Sequence, residues 1–579
     1  MTVYLRYMLF LCILIGTGLP LLVRPALAYY GNNQYFGYLQ NTHYRQRQQM
    51  MDTPMVVPDH LGADTDKIPT LSIKSCVELN NIEVTGVTKI SKAAINTITH
   101  QWKGRCVSLQ DINIILGDIN KLYVKHRLVT SRAYLPKQDI SGGYLKIIML
   151  ENKVGSFEFS GSAQPSNEIT AFPWVSGGVL NLDDLEQGLD NMNRLSGWEA
   201  SLKFLPKTKD TDTVVHIDVP KTSMIHGKVL TDNNSQSSSG RTMGRAFVNV
   251  SDLFGLLDLW SFEYDHSLNN RQSQGHNSFL DAEGSIPLGP WLLFGGWWRS
   301  DEFYYMPPQP DTKKRLDTVQ KDYRIGVSRV IARHKVDVTT LTVSYELKDF
   351  RNNTNYERLP SQSAKLASLN IGVGEFLKIW GRTWYINIGA KVGLGGMGTK
   401  TWVVNQGKYA PHTQYVKPYL NIDGFKPITK TITWHTVIHG EYSSQNQYGN
   451  EWFSIGGPYT VRGFLKKTAI GNAGIFMRND LSWQLPTKHL VCAGYDGFCE
   501  FFLKDIELYV IADAGMTRAV YTYDNMPKIL KSANIAGTGI GLRKSDGILI
   551  WDSSVSHAIS TSGLSPEGWI ASFQVGVKL

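Results

Sequence analysis

The sequence predicts a chain in two architectural parts, a pair of α+β units of βααββ order followed by an all-β transmembrane barrel. Three observations carry this. The order strand, helix, helix, strand, strand occurs twice between about residues 74 and 222. From residue 223 to residue 579 the chain alternates apolar and polar residues segment after segment. Charged residues make up only 19% while aromatics reach 11%, with 15 Trp and 27 Tyr, a composition suited to a surface that meets an interface.

The chain opens with Arg6, an apolar stretch from Tyr7 to Leu22, and Ala26-Leu27-Ala28. This reads as a secretory signal peptide over residues 1–28, cut after Ala28. Beyond it no apolar run reaches about 18 residues, so no helix is expected to span a membrane. A closed barrel of strands is the other way across, because lipid offers no partner to unpaired backbone groups. In residues 29–52 helix formers run to Met51 before Asp52-Thr53-Pro54 breaks them. A helix polar all round does not pack on an apolar core, so this segment is either a helix with a special seat or an unstructured leader. Residues 53–73, with three Pro, read as a linker.

The first α+β unit covers residues 74–151. Val77–Val84 is expected as a strand. Ser91 caps a helix through Trp102, with Ala94, Ile95, Ile98 and Trp102 at helical spacing. Ser108 caps a second helix, Asp111 completing the capping signal, with Ile112, Ile115, Leu116, Ile119, Leu122 and Tyr123 as its apolar face. Strands Val129–Leu135 and Tyr144–Leu150 follow. The second unit, residues 152–222, repeats the order: strand Val154–Ser160, a helix near Ser166–Trp174, a helix Leu182–Leu195 capped by Asn181, and strands Glu199–Leu205 and Thr213–Val219.

Residues 223–579 read as the barrel. In Trp384–Leu394 one face carries Trp384, Ile386, Ile388, Ala390, Val392 and Leu394, and the other Tyr385, Asn387, Gly389, Lys391 and Gly393. Trp434–Tyr442 and the final segment from Trp569 to Leu579 repeat the scheme, and the leading tryptophans suggest an interfacial girdle. At roughly 20 to 24 residues per strand and connection, the segment accommodates about 16 strands. The polar faces, including Tyr385, Lys391, His439 and Lys578, would line a wet lumen.

Cys12 leaves with the signal, and Cys76, Cys106, Cys492 and Cys499 remain. Four cysteines allow three pairings; sequence proximity favours Cys76–Cys106 and Cys492–Cys499. No C-x-x-C or His cluster points to a metal, and none of the 14 His precedes a Glu. The nucleotide loop G-x-x-x-x-G-K-[ST] and the hydrolase elbow G-x-S-x-G are missing too, so neither an enzyme nor a cofactor is expected. The net charge of +9 is scattered without a basic run, which argues against nucleic acid.

Late in the chain stands Val461-Arg462-Gly463-Phe464, followed about fifty residues later by Ile511-Ala512-Asp513-Ala514-Gly515. With the barrel pattern, these resemble the Omp85 superfamily, and within it the transporters of two-partner secretion (haemolysin-activator and filamentous-haemagglutinin-transporter type). There the tetrad sits on a long extracellular loop folded into the lumen, and its Arg meets the Asp of an (F/G)-x-D-x-G motif on the inner wall. The resemblance thus implies a contact between Arg462 and Asp513, with Ile511 where Phe or Gly is usual. The two α+β units resemble POTRA domains, through Thr130 to Asp139 in the first and Asp184 to Leu195 in the second. Arg127 stands where a Gly is usual, and Lys207 where a Pro-Gly pair is usual.

The resemblance further implies 16 barrel strands, a pore plug at residues 29–52, and a periplasmic position for the connection bearing Cys492 and Cys499. It implies a monomer in outer-membrane lipid, its POTRA domains in the periplasm. These would receive a large unfolded exoprotein of haemolysin or adhesin type by strand addition for passage to the cell surface. An Omp85-type assembly factor and a passive porin are the alternatives. More POTRA domains and no plug-like helix would mark the first, and lack of a periplasmic module the second.

Overall fold

The computed structural model describes residues 76–206, 212–235, 240–268, 275–305, 315–334, 337–379, 381–396, 399, 411–443, 445–465, 467–486, 502–518, 532–562 and 564–579. The expected signal, plug helix and linker, Lys207, and the Cys492–Cys499 pairing lie outside them.

In the first unit Asn81–Thr85 runs parallel to Tyr144–Leu150, which Arg132–Tyr134 flanks antiparallel. Helices Lys92–His100 and Leu109–Lys125 cover this sheet, burying Ile95, Ile112, Ile115, Ile119 and Tyr123 against Leu145 and Ile147. Ser91 accepts from the Ala94 N–H, and Ser108 and Asp111 form the reciprocal capping box. The strand expected over Val77–Val84 is split. Val77–Glu78 pairs with Cys106–Val107, and only Asn81–Thr85 joins the main sheet. Leu79 turns fully into the core between them. The Cys76–Cys106 disulfide closes that small pair, a loop that stabilises by about 3 kcal/mol.

The second unit repeats the scheme with Lys153–Gly161 parallel to Asp212–Val219 and Ser201–Pro206 antiparallel to it. Its expected first helix shrinks to a turn at Pro165–Asn167 and Glu168–Ala171. Pro173 limits the backbone ahead of it, and Trp174 takes a left-handed φ of 62°, which no helix tolerates. The second helix, Leu182–Asn193, is capped by Asn181 through the Asp183 N–H.

Arg127 also has a left-handed backbone, with φ of 67°. That conformation costs a side chain roughly 1–2 kcal/mol. Its guanidinium reaches Asp183, at 2.9 Å, and Glu186, both on the second unit's helix. The position where the resemblance leads one to expect Gly therefore carries a bridge between the two units.

Among the described residues sixteen long antiparallel strands close into a barrel, with Glu357–Arg358 as a short side pairing. They range from eight residues (Ile225–Asp232) to twenty (Arg315–His334). The last strand, Trp569–Lys578, closes on the first through five pairs, Gln574↔Asp232 to Lys578↔Lys228. Leu579 then exchanges backbone hydrogen bonds with Gly227, at 2.8 and 3.1 Å, so the terminal residue completes the seam. Alternation sorts the faces: Leu293, Ile325, Ile388 and Phe573 are exposed, while Gln320, Asp322, Ser344 and Lys417 are buried inside. Lys578 departs from the expected lumen lining, donating instead to the Ser545 carbonyl in a turn at one rim.

The second unit packs on that same rim. Leu257 and Leu259 of the barrel belong to its apolar core. Asn167 donates to Asp252 at 3.0 Å, Asn191 to the Gly289 carbonyl at 2.8 Å, and Arg333 pairs with Asp190 at 2.6 Å. Arg194 donates to Ser285 Oγ at 2.7 Å and to the Leu257 carbonyl.

Candidate functional site

On the rim opposite the α+β units, a long loop links strands Ile432–Tyr442 and Ala473–Gln484 and folds inward. Its limbs pair as Phe453–Ile455 with Ala469–Gly471. Between them the chain turns tightly, Gly457 N–H donating to the Val461 carbonyl at 3.0 Å and Gly456 N–H to Thr460 Oγ1 at 2.9 Å. Phe453, Ile455, Val461 and Phe464 bury themselves against Phe476, Ile535 and Ala558 of the wall, an apolar core inside the lumen.

This turn delivers Arg462 to the wall. Its Nε and Nη2 donate to Asp513 Oδ2 and Oδ1 at 2.6 and 2.7 Å, a two-pronged pair. Its backbone N–H adds a third bond to Oδ2 at 3.0 Å. Nη2 also meets Asp480 Oδ1 at 2.7 Å. Arg462 is 8% exposed and Asp513 3%, so the charges depend on each other rather than on solvent.

The wall yields where the loop enters. Strands Ala473–Gln484 and Ile506–Arg518 pair through Met477↔Ala514 and resume at Asp480↔Ile511. In the gap, Asn479 N–H donates to Asp513 Oδ1 at 3.2 Å and the Asn479 carbonyl accepts from Arg462 at 3.3 Å. Arg462 from the loop and Asp513 from the wall thus satisfy backbone groups that the ladder leaves open.

Two glycines make the approach feasible. Gly463 has φ of 99°, and a Cβ there would lie 2.7 Å from the His557 carbonyl carbon. At Gly537 a Cβ would lie 1.7 Å from the Arg462 carbonyl oxygen. At Gly515 of the second motif a Cβ would lie 3.0 Å from Val461 Cγ2. Ile511, the departure from the motif, is fully buried beside Asp480 and Gly539.

The haemolysin secretion/activation protein family (ShlB/FhaC/HecB) matches residues 211–544, more than half of the sequence. The chain belongs to this family. A ShlB-type POTRA domain matches residues 77–152 and a second POTRA domain residues 153–206. The outer membrane transporter CdiB of Dickeya dadantii (strain 3937) is 28% identical over 509 residues, covering 87% of each chain. The hemolysin transporter protein HpmB of Proteus mirabilis is 25% identical over 429 residues, covering 73% of this chain and 75% of its own. The solved CdiB from Escherichia coli shares the fold, with TM-score 0.84 and 23% identity over 94% of this chain and 97% of that one. This family member is thus an outer-membrane barrel with periplasmic POTRA domains, and the rim they occupy is the periplasmic one.

The structure brings Val461, Arg462, Gly463, Phe464, Asp513 and Gly515 to one place and leaves the Cys76–Cys106 disulfide far along the chain in the first POTRA domain. Sequence reading missed Asp480, Asn479, Gly537 and Glu567. Asp480 carried a readable signal, since it falls on the polar face of a strand whose Met477, Leu481 and Trp483 are exposed. Glu567 carried none. It accepts from the backbone of Leu465 and Lys467, at 3.2 and 2.6 Å, from a loop a hundred positions away.

Proposed function

We propose that this chain is the outer-membrane transporter of a two-partner secretion system. It carries one large exoprotein of haemolysin or adhesin type from periplasm to surface, with Arg462–Asp513 as the lock of its lumen loop. The carrying observation is that loop, packed with its own apolar core inside a closed barrel fastened to two POTRA domains. A route, a receiving surface and a closure are what polypeptide passage requires. Bond-making chemistry is not, and the chain works as a transporter rather than an enzyme.

The client arrives unfolded. The edge strand Ser201–Pro206 of the second domain pairs on one side within its sheet and offers its other backbone edge, whereas the Ala133 N–H of the edge strand Arg132–Tyr134 already donates to Asn120 Oδ1 at 2.7 Å. Recognition by backbone asks little of client sequence, which suits a long secreted polypeptide. The seated loop stands in the way, so passage requires Arg462 to leave Asp513. One monomer holds route, loop and lock within a single barrel. Domain limits follow the same reading: signal 1–28, plug 29–52, linker 53–73, POTRA domains 74–151 and 152–222, and barrel from 223.

The test is co-expression with the large exoprotein encoded beside it, following that exoprotein in the medium, with Arg462→Ala at matched membrane level. Export with the native chain alone supports transport and the lock. Retention with both, together with failure of other barrels to assemble when this protein is deleted, transfers the reading to an assembly factor.

A further inference from the structure

Eleven positions before Arg462, the same loop carries a charge of opposite sign. Glu451 ends the short turn Gly449–Glu451 ahead of Phe453–Ile455 and is only 3% exposed. Three lysines converge on it from the wall. Lys348 and Lys391 reach Oε1 at 2.8 and 3.2 Å, and Lys417 reaches Oε2 at 3.1 Å. Lys417 also donates to the Glu451 backbone carbonyl at 3.2 Å, so main chain and side chain are gripped together. The lysines stand on three strands, Asp337–Thr354, Arg382–Leu394 and Val416–Pro427. Wall carboxylates share the cluster: Glu346 pairs with Lys391 at 2.5 Å and Glu441 with Lys417 at 3.0 Å.

The partners of Arg462 come from a different stretch of wall, Asp480 on Ala473–Gln484 and Asp513 on Ile506–Arg518. The loop thus puts an anion into a lysine socket on one side and a cation into a carboxylate socket on the other. Between the two lie Ile455 and Val461, both fully buried, so the intervening segment is packed rather than slack.

We propose that the loop is a strap fastened at two points by ion clusters of opposite polarity, with Glu451 the positioning residue of the second fastening. This deepens the transporter reading and rests on it. A buried carboxylate among three ammonium groups is tolerated because those groups are there; withdrawn to bulk water it gains hydration but leaves the lysines short of an anion. Freeing the lumen therefore requires breaking both clusters. Breaking the Arg462 contact alone lets the loop swing about Glu451. The opposite polarities also prevent the strap from seating backwards, since Glu451 in the carboxylate socket would meet like charge.

The test uses purified full-length protein in planar bilayers, with the opening equilibrium read from single-channel records. Glu451→Gln keeps the side-chain size and removes the charge. We expect it to raise opening about tenfold, as Arg462→Ala does, and the double variant about a hundredfold, because separated sites add in free energy. Glu451→Asp should remain as quiet as the native channel. Should Glu451→Gln fail to assemble, Lys417→Met probes the socket with the loop sequence intact and should open the channel in the same direction. External trypsin on whole cells gives a second readout, since cleavage after Arg462 should increase in either variant. Native-like opening and trypsin resistance in both, while Arg462→Ala opens the channel, would overturn the proposal and reduce Glu451 to a counter-ion. No client is involved, so failure here is distinct from failure of the secretion assay.

Discussion

At Arg462 the guanidinium has traded water for two carboxylates and a carbonyl, and its shape matters as much as its charge. A lysine there offers one compact ammonium and cannot hold Asp513 two-pronged while touching Asp480. We expect Arg462→Lys to lower client export at least severalfold at unchanged barrel level; export equal to the native chain would show that charge alone suffices. Truncation to Ala leaves Asp513 buried without its cation and destabilises the seated loop, while Asp480 keeps Arg543 at 3.3 Å. Gly463 is the steric counterpart. Gly463→Ala places a methyl 2.7 Å from the His557 carbonyl carbon at a φ of 99°, a strain of about 1–3 kcal/mol. Its loop should become sensitive to external protease with Arg462 still present, and full resistance would contradict the packing described.

Within the first POTRA domain, the Glu151 carboxylate accepts from the backbone of Thr88 and Lys89, at 2.9 and 3.1 Å, and from Tyr123 OH at 2.7 Å. Burial pushes its pKa up, but the Thr88 hydroxyl and these donors pull it down further, so it lies below the ordinary glutamate value. A carboxyl depressed on folding contributes stability that is fully present above its unfolded pKa, near 4.3, and is lost as pH falls through the lower folded value. Amide protection of the strand Tyr144–Leu150, corrected for intrinsic exchange, should therefore decline below about pH 4.3 in the full-length protein. Glu151→Gln should flatten that decline; an unchanged profile would assign it elsewhere. Replacing both Cys76 and Cys106 by Ser should cost the same domain about 3 kcal/mol and leave the barrel's heat resistance on gels untouched.

Across the whole molecule, the second POTRA domain and the barrel are joined at one rim by a shared apolar core and polar contacts, and Arg333–Asp190 is the ion pair among these easiest to exchange. Asp190→Lys should loosen the second POTRA domain, raising hydrogen exchange in the helix Leu182–Asn193. Adding Arg333→Glu should restore protection. If the double variant exchanges as fast as the single one, that pair does not help hold the domain. The short seam between the first and last strands, five pairs completed by Gly227 and Leu579, belongs to this scale too, because closure exists only once the full circuit of strands is in place.

Local chemistry was enough to read the capped helices at Ser91, Ser108 and Asn181, the strand Tyr144–Leu150 and the alternating barrel wall. Caps, 3.6-residue periodicity and two-residue alternation are all properties of neighbours in sequence. The tetrad and the Asp513 motif were legible through resemblance to a family, and the geometry then joins them at 2.6 Å. What neighbours could not settle was decided by contacts over long separations. The split of Val77–Val84 follows from which strand each half pairs with. Arg127, odd as a sequence residue, acquires its purpose only when Asp183 and Glu186 arrive from the next domain. The three lysines around Glu451 lie on three strands and come within reach of one carboxylate only after the barrel has closed. Alternation dictates that a lysine faces the lumen; the register of the closed sheet decides what it meets there.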